Sequence, residues 1–445
     1  MTRARGALAA LALAGLLVAL GDAEAQRVDP RRPSITVVGP PPGASPMHRV
    51  DAKRSGLASA PLPTGTLHVA WQKATGLTVE QPALAGADGT VALVSVRGDV
   101  TFLDEAGEER GLVRVGAAQV GPAAMTSDGT VVFATNGGEV IGVRRSSPHP
   151  RFSARIGGER NPRAAPLALD DGGVVVATTA DLVVLDAEGN VRSRAALPEP
   201  PAAPLVAASD KVLAVTTTGA VFGWTPGREP VRLGSFGAPI DGGAALIEGG
   251  RLVAVIEGNH LAEVDLVRGG RSTRSVTAQG LYLGPPAARP ATSGAGSLAT
   301  VLALTTTRGF VVTLDAAGQE LLRAPIASFI QSSLPDGGAP PLVAPPHTGP
   351  LIDGRGAIAF AATDGHVGVV SPDGAVDVIG EVLCTKTGRS GVVGLTPFER
   401  GSFLITCDGG VVARIRGAAD DLRRAPPSPA GSSGRLRPGP RDPED

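Results

Sequence analysis

Residues 89–104 read GTVALVSVRGDVTFLD and hold the pattern on which the fold of this chain rests. A run of apolar residues ends at a glycine-containing turn, and a second, alternating run follows it. Two such runs joined by a turn of Gly, Asn or Asp are typical of a β-hairpin. The first run is apolar at successive positions, which favours a strand covered on both faces. This stretch therefore predicts a hairpin packed between two other sheets.

The same theme returns along the chain, and the copies begin about 40 to 50 residues apart, the period typical of propeller blades. The later copies are GTVVFATNGGEVIGV (129–143), GVVVATTADLVVLD (173–186), KVLAVTTTGAVFGW (211–224), RLVAVIEGNHLAEVD (251–265), TVLALTTTRGFVVTLD (300–315), AIAFAATDGHVGVV (357–370) and SFLITCDGGVVARI (402–415). A leading and a trailing strand complete each copy. Because one unit cannot cover both of its own faces, the units must stack, and a closed ring leaves none exposed. We predict an all-β fold, a single eight-bladed β-propeller of four-stranded blades over residues 65–418.

The two ends of the repeat region indicate how the ring closes. The last copy stops after residues 411–417, one strand short of a full blade, whereas residues 66–75 (TLHVAWQKAT) precede the first copy and alternate like a strand. We predict that this early segment supplies the missing outer strand of the last blade, with Trp71 anchoring it against the neighbouring blade. Such closure removes an edge that could seed aggregation.

The amino-terminal residues predict export. Arg3 and Arg5 precede an apolar stretch over residues 6–20, and Ala25 provides a small residue for cleavage before Gln26. The stretch is shorter than the ~20 residues that a membrane-spanning helix needs. We predict a signal peptide at 1–25, with no membrane span after its removal, and a protein that is periplasmic or secreted.

Composition predicts two flanking regions and one disulfide. Residues 26–64 form a Pro/Arg-rich linker and entry segment, and residues 419–445 combine Pro, Gly, Ser and scattered charges that predict a disordered tail. Cys384 and Cys407 are the only cysteines. In an oxidising compartment two such thiols are expected to pair, although free thiols remain the alternative.

No catalytic, cofactor-binding or metal-binding residue is predicted. The 41 basic and 42 acidic residues are interspersed, which argues against a nucleic acid partner. The six histidines form no HxH or HExxH pair, and the chain has no GxSxG nucleophile motif. Acidic-glycine stretches such as residues 170–173 lack the ligand spacing of a calcium loop and are interpreted as turns between strands.

The entry segment resembles that of bacterial propellers built from pyrroloquinoline-quinone (PQQ)-like repeats. In that family an Asp-x-x-Arg-(Ser/Thr)-Gly element leads, through a proline-containing stretch, to a strand with a tryptophan. Asp51, Arg54, Ser55, Gly56 and Trp71 stand here in that order.

The body repeats are similar to the family pattern as well. Residues 98–107 (GDVTFLDEAG) and 309–318 (GFVVTLDAAG) are the nearest copies, and the resemblance covers about residues 49–416. The family's Thr-Gly-x-x-x-Trp docking pattern is absent, because Thr75 and Gly76 are not followed by a tryptophan at that spacing.

The resemblance implies two kinds of function. The family's enzymes are dehydrogenases that hold the quinone above the central channel, usually with calcium. Its non-enzymatic members, such as the propeller lipoprotein of the outer-membrane β-barrel assembly machine, use the repeat as a scaffold; this chain lacks a lipidation cysteine. Membership of such an assembly is a more specific hypothesis within the scaffold class.

We predict a scaffold in the cell envelope, monomeric and without enzymatic activity or cofactor, that binds a protein or a polysaccharide. The alternatives are a quinone-dependent dehydrogenase and a polysaccharide lyase or hydrolase using carboxylates of the channel.

Overall fold

The structure, a computed structural model, describes residues 40–418 apart from residues 42, 158–163, 276–280, 291–299, 316, 327–348, 363–365, 380–383, 385–390 and 400. The predicted signal peptide (1–25), residues 26–39 of the predicted linker (26–64) and the whole predicted tail (419–445) lie outside the described residues.

The strands run in chain order as follows. Two strands precede the first blade: β1 (Leu57–Ala58) and β2 (Leu67–Ala74). Blades 1 to 4 contain β3 (Leu84–Ala85), β4 (Val91–Val94), β5 (Val100–Leu103) and β6 (Glu109–Val113); β7 (Gln119–Met125), β8 (Val131–Thr135), β9 (Glu139–Val143) and β10 (Phe152–Arg155); β11 (Leu167–Ala168), β12 (Val174–Ala177), β13 (Asp181–Leu185) and β14 (Val191–Ala196); β15 (Val206–Ala208), β16 (Lys211–Val215), β17 (Ala220–Trp224) and β18 (Val231–Ser235). Blades 5 to 8 contain β19 (Ile240–Ile247), β20 (Arg251–Ile256), β21 (His260–Asp265) and β22 (Arg271–Ser275); β23 (Tyr282–Pro290), β24 (Thr300–Thr306), β25 (Phe310–Leu314) and β26 (Glu320–Pro325); β27 (Leu351–Asp353), β28 (Ile358–Ala361), β29 (Val367–Val370) and β30 (Val376–Val378); β31 (Val392–Pro397), β32 (Ser402–Cys407) and β33 (Val411–Gly417).

These strands form eight sheets in the described part of the chain, and each sheet contains one blade. Within a blade, strands that follow one another in the chain pair in antiparallel orientation, and β1 and β2 join the sheets of blades 7 and 8 from outside that order. Neighbouring blades contact one another through their first strands, as β3 with β7, β19 with β23 and β23 with β27, and β31 of blade 8 contacts β3 of blade 1. Apolar clusters fill the space between every two neighbouring blades. The sheets are therefore arranged as a closed ring around a central channel, with the first strand of each blade innermost. The prediction of a single all-β, eight-bladed propeller is confirmed.

The core lies between the blades. The described buried residues separate into eight apolar clusters, each formed by the facing surfaces of two neighbouring blades. Between blades 1 and 2, for example, Phe102 and Phe133 are both fully buried. The inner strands are apolar at successive positions because both of their faces are covered, which is what the sequence pattern indicated.

Blade 8 takes its outermost strand from the other end of the ring. Strand β2 pairs with β33 in antiparallel register, from Leu67 opposite Gly417 to Ala74 opposite Val411, with a bulge between Val69 and Trp71. The predicted closure by the amino-terminal strand is present. A disulfide joins Cys384 to Cys407 with the two Cα atoms 5.5 Å apart, inside the cluster between blades 7 and 8.

Residues 43–62, which we call the channel segment, lie against the innermost strands and their flanking residues in every blade. From blade 1 to blade 8 the hydrogen-bonded pairs are Ser45 with Ala85, Pro46 with Met125, Arg54 with Pro166, Ala52 with Ala207, Lys53 with Leu246, Ser55 with Ala288, Gly56 with Ile352, and Gly43 with Glu399. Within this segment β1 pairs with β27 in parallel. A single segment that contacts all eight innermost strands lies at the axis of the ring.

Two buried arginines hold the channel segment in place. Arg54 is 1% exposed and donates hydrogen bonds to four backbone carbonyls, of which the nearest, those of Leu205, His48 and Pro166, lie at 2.8 Å. Arg49 donates to the carbonyls of Pro350 (2.9 Å) and Pro286 (2.8 Å). Burial lowers the pKa of both arginines to about 10, against the opposing charge of Asp51, so both remain cationic at neutral pH.

The channel segment also explains the Asp-x-x-Arg-Ser-Gly element. Asp51 accepts hydrogen bonds from the Ser55 amide (3.0 Å) and hydroxyl (2.7 Å), which folds the element into a tight turn. Within this turn Arg54 has a φ of 55°, and Gly56 follows with a φ of 64°. Residues 26–64 are expected to be linker and entry, but residues 43–62 are packed inside the ring and the packing begins before residue 65.

Candidate functional site

A groove of about 510 Å³ lies beside the channel segment. Pro40, Pro41 and Met47 bound it on the axis side. On the other side lie three equivalent turns, residues 86–90, 126–130 and 169–173, which follow the innermost strands of blades 1, 2 and 3. We call this cavity the methionine groove. Its size is within the range of natural ligand sites.

The three turns share one backbone geometry. In each, the residue that opens the turn donates its amide to the carbonyl four residues later, at 2.8 to 2.9 Å. The glycines Gly89, Gly129 and Gly172 have φ of 77°, 78° and 82°, a conformation that strongly favours glycine. The repeated Asp-Gly turns of the sequence thus bring carboxylates from three successive blades to one groove.

The floor of the methionine groove is apolar. Met47 is 5% and Met125 3% exposed, and Leu169 lies beside them. The chain has three methionines, and two of them, Met47 and Met125, line this groove. Methionine side chains are flexible and polarisable, so they adapt to apolar partners of varied shape.

The rim of the groove is acidic. Asp88, Asp128 and Asp170 line it, and none of the described lining residues is Lys, Arg, His or aromatic. Burial alone raises the pKa of Asp88, but the hydroxyl (2.8 Å) and amide (3.0 Å) of Thr90 and the charge of Arg145 outweigh it. The pKa of Asp88 therefore lies below its ordinary value.

Asp128 is held more strongly. Partial burial opposes its charge, but the hydroxyls of Thr126 (2.7 Å) and Thr130 (2.8 Å) and the guanidinium of Arg151 (2.6 Å) keep its pKa far below the usual range. Arg144 pairs with the same carboxylate. Both arginines lie outside the groove lining.

At the axis, the residues that would face a quinone of the kind implied by the sequence resemblance already have other partners. The inner strands that would surround a cofactor at the axis hydrogen bond instead to the channel segment. In addition, no group of three or more His, Cys, Asp or Glu among the described residues could hold a metal ion.

Trp71 lies at the seam between blade 8 and blade 1. Its indole Nε1 donates to the carbonyl of Glu105 at 2.9 Å, and the ring packs so closely on Gly107 that a Cβ there would lie 2.7 Å from it. Arg414 donates to the same Glu105 carbonyl at 3.0 Å and stacks 4.8 Å from the centre of the Phe398 ring.

The sequence-predicted residues do not converge on one site. Trp71 is in blade 8, Cys384 and Cys407 lie between blades 7 and 8, and the predicted cleavage residues Ala25 and Gln26 lie outside the described residues. The methionine groove was not predicted from the sequence, because its lining residues come from turns about 40 residues apart. The recurrence of Asp-Gly in equivalent turns beside the chain's two internal methionines could have indicated it.

Comparisons with known proteins give the fold alone. No family model and no curated protein matches this chain. In the described residues no helix is long and apolar enough to span a membrane. The structure is similar to the computationally designed Ika8 protein, with a TM-score of 0.58 and 15% identity over 78% of this chain and 100% of that one. It is also similar to the crystal structure of BamB from Moraxella catarrhalis, with a TM-score of 0.54 and 18% identity over 79% of this chain and 98% of that one.

Proposed function

We propose that this protein is a binding scaffold of the cell envelope and that it holds a partner protein at the methionine groove. The observation that carries the proposal is the groove itself, an adaptable apolar floor fixed between three blades and the channel segment. A closed ring holds such turns rigidly, and rigid turns on one face suit recognition. The disulfide is typical of an oxidising compartment and supports an envelope location.

Two observations weigh against the enzymatic alternatives. A dehydrogenase of the related kind needs the space at the axis, where the channel segment packs. A lyase or hydrolase needs a general acid, and carboxyl groups reach that role when their pKa is raised. The pKa values of Asp88 and Asp128 are instead lowered, so both carboxyls are ionised at neutral pH.

Site-directed photo-crosslinking in intact cells tests the proposal. A photoreactive residue at Ala87, which is exposed at the groove, is compared with one at Arg228, an exposed turn residue of blade 4. We expect the first to capture a specific envelope protein that the second does not. Because of the resemblance to scaffold propellers, barrel-assembly proteins are the first candidates to identify. Equal capture at both positions, or capture of no envelope protein at Ala87, would contradict the proposal.

A further inference from the structure

The methionine groove has two chemically distinct zones, and together they define what it can hold. The floor consists of thioether and aliphatic groups, which favour apolar side chains. The rim consists of carboxylates, with no basic side chain among the described lining residues. Partners that leave a charge buried without its counterion bind poorly, so the rim selects for cations and against anions.

The residues on the axis side of the groove limit how a partner can bind there. Pro40, Pro41 and Pro46 line it, and proline has no amide to donate to an added strand. In the opposing turns, the amide of Gly89 donates to Gly86 and that of Gly129 to Thr126, so these two amides are not available to an added strand. An occupant is therefore held through its side chains rather than by extending a sheet.

We infer that the groove binds an extended segment of the partner protein in which a lysine or arginine stands beside apolar residues. This inference rests on the proposed function and identifies the chemistry of its partner. The apolar side chains of the segment contact Met47 and Met125, and its cationic side chain lies against the carboxylates of the rim, those of Asp88, Asp128 and Asp170.

A displayed library of random nine-residue peptides tests this inference on the purified full-length protein. Selection is run against the native protein, with counter-selection on the double variant Asp88→Asn, Asp170→Asn. We expect the surviving peptides to be enriched in Lys or Arg next to Leu, Ile, Val or Met. Enrichment of acidic peptides, enrichment without a charge preference, or no peptide surviving the counter-selection would overturn the inference.

The affinity of one selected peptide provides the second measurement. We expect binding about tenfold weaker to the Asp88→Asn, Asp170→Asn variant, because an interfacial charge pair contributes roughly 1–2 kcal/mol, and weaker at high salt. Asp373→Asn, a change in an exposed Asp-Gly turn of blade 7, is the matched control and is expected to leave affinity unchanged. Equal loss in the control would overturn the inference. A groove that captures a partner at Ala87 but shows no charge preference would sink the inference and leave the scaffold proposal standing.

Discussion

Residues 43–74 occupy two contrasting places, the axis of the ring and its outer edge. At the outer edge, β2 is a regular strand that pairs along its length with β33. At the axis, the channel segment has little regular structure and is held by scattered backbone hydrogen bonds to one blade after another. The strand is fixed by a continuous backbone ladder, whereas the channel segment is fixed by these isolated bonds together with two buried arginines. Closure of the ring therefore depends on strand pairing, whereas the centre of the ring depends on isolated backbone hydrogen bonds and on buried guanidinium groups.

The largest expected effect is at the axis. Arg54→Met removes the donor for four buried carbonyls, and unsatisfied buried groups are costly, so we expect a loss of about 3–5 kcal/mol in the free energy of unfolding. Arg54→Lys should recover little of it, because one ammonium cannot reach carbonyls in two blades. Urea unfolding measures the loss, with the exposed β18 residue Arg232→Met as the control within about 0.5 kcal/mol. If the two methionine variants proved equally stable, the arginine-held axis would be wrong.

A smaller effect on the free energy of unfolding is expected at the outer edge of the ring. Trp71→Ala removes a half-buried indole and its hydrogen bond to Glu105, for an expected loss of about 2 kcal/mol. Trp71→Phe keeps a ring against Gly107 and loses the donor, so we expect a loss of about 1 kcal/mol. Both are measured by urea unfolding at an unchanged m-value. A loss for Trp71→Ala that exceeds that of Arg54→Met would reverse the comparison between outer edge and axis.

The smallest effect lies between the two regions, where Asp128 joins a turn beside the axis to Arg151 at the start of β10. The folded-state pKa of Asp128 is below its ordinary value of 3.8, so the carboxylate stabilises the fold above that pH and loses this contribution as the pH falls. Because the pair is partly exposed, Asp128→Asn should cost only about 1 kcal/mol at pH 7. The difference between the variant and the native protein should shrink as the pH is lowered from about 5 to 2. A difference that is constant over this interval would contradict the assignment.

The same contrast explains what the sequence could reveal. Strand β2 was predictable because alternation and an aromatic residue are local signals, and the inner hairpins were predictable because burial on both faces leaves continuous apolar runs. The channel segment was not, because its contacts are made by backbone carbonyls and by Arg49 and Arg54, residues that composition alone assigns to an exposed linker. Its Val50, with a φ of 79°, adopts a conformation that only the surrounding blades can impose.

The methionine groove could not be predicted from the sequence for another reason. Asp88 and Asp128 stand in Asp-Gly turns, and such turns occur wherever a hairpin reverses. Only the radial arrangement of blades places three of them side by side, and only the channel segment supplies the opposite wall. Local sequence patterns therefore predict the blades, whereas the groove forms only when the blades are arranged in a ring.

The channel segment has a consequence for how this ring is assembled. Its residues precede all eight blades in the chain, yet it forms contacts with blade 8, and β2 pairs with β33, the last strand of that blade. In open repeat arrays each repeat contacts only its neighbours, and folding can start anywhere and spread along the array. Here residues 43–74 pair with blade 8 at the other end of the ring. We therefore expect folding to be a single cooperative transition. We also expect it to be slow, because many of its contacts join residues that are far apart in the sequence.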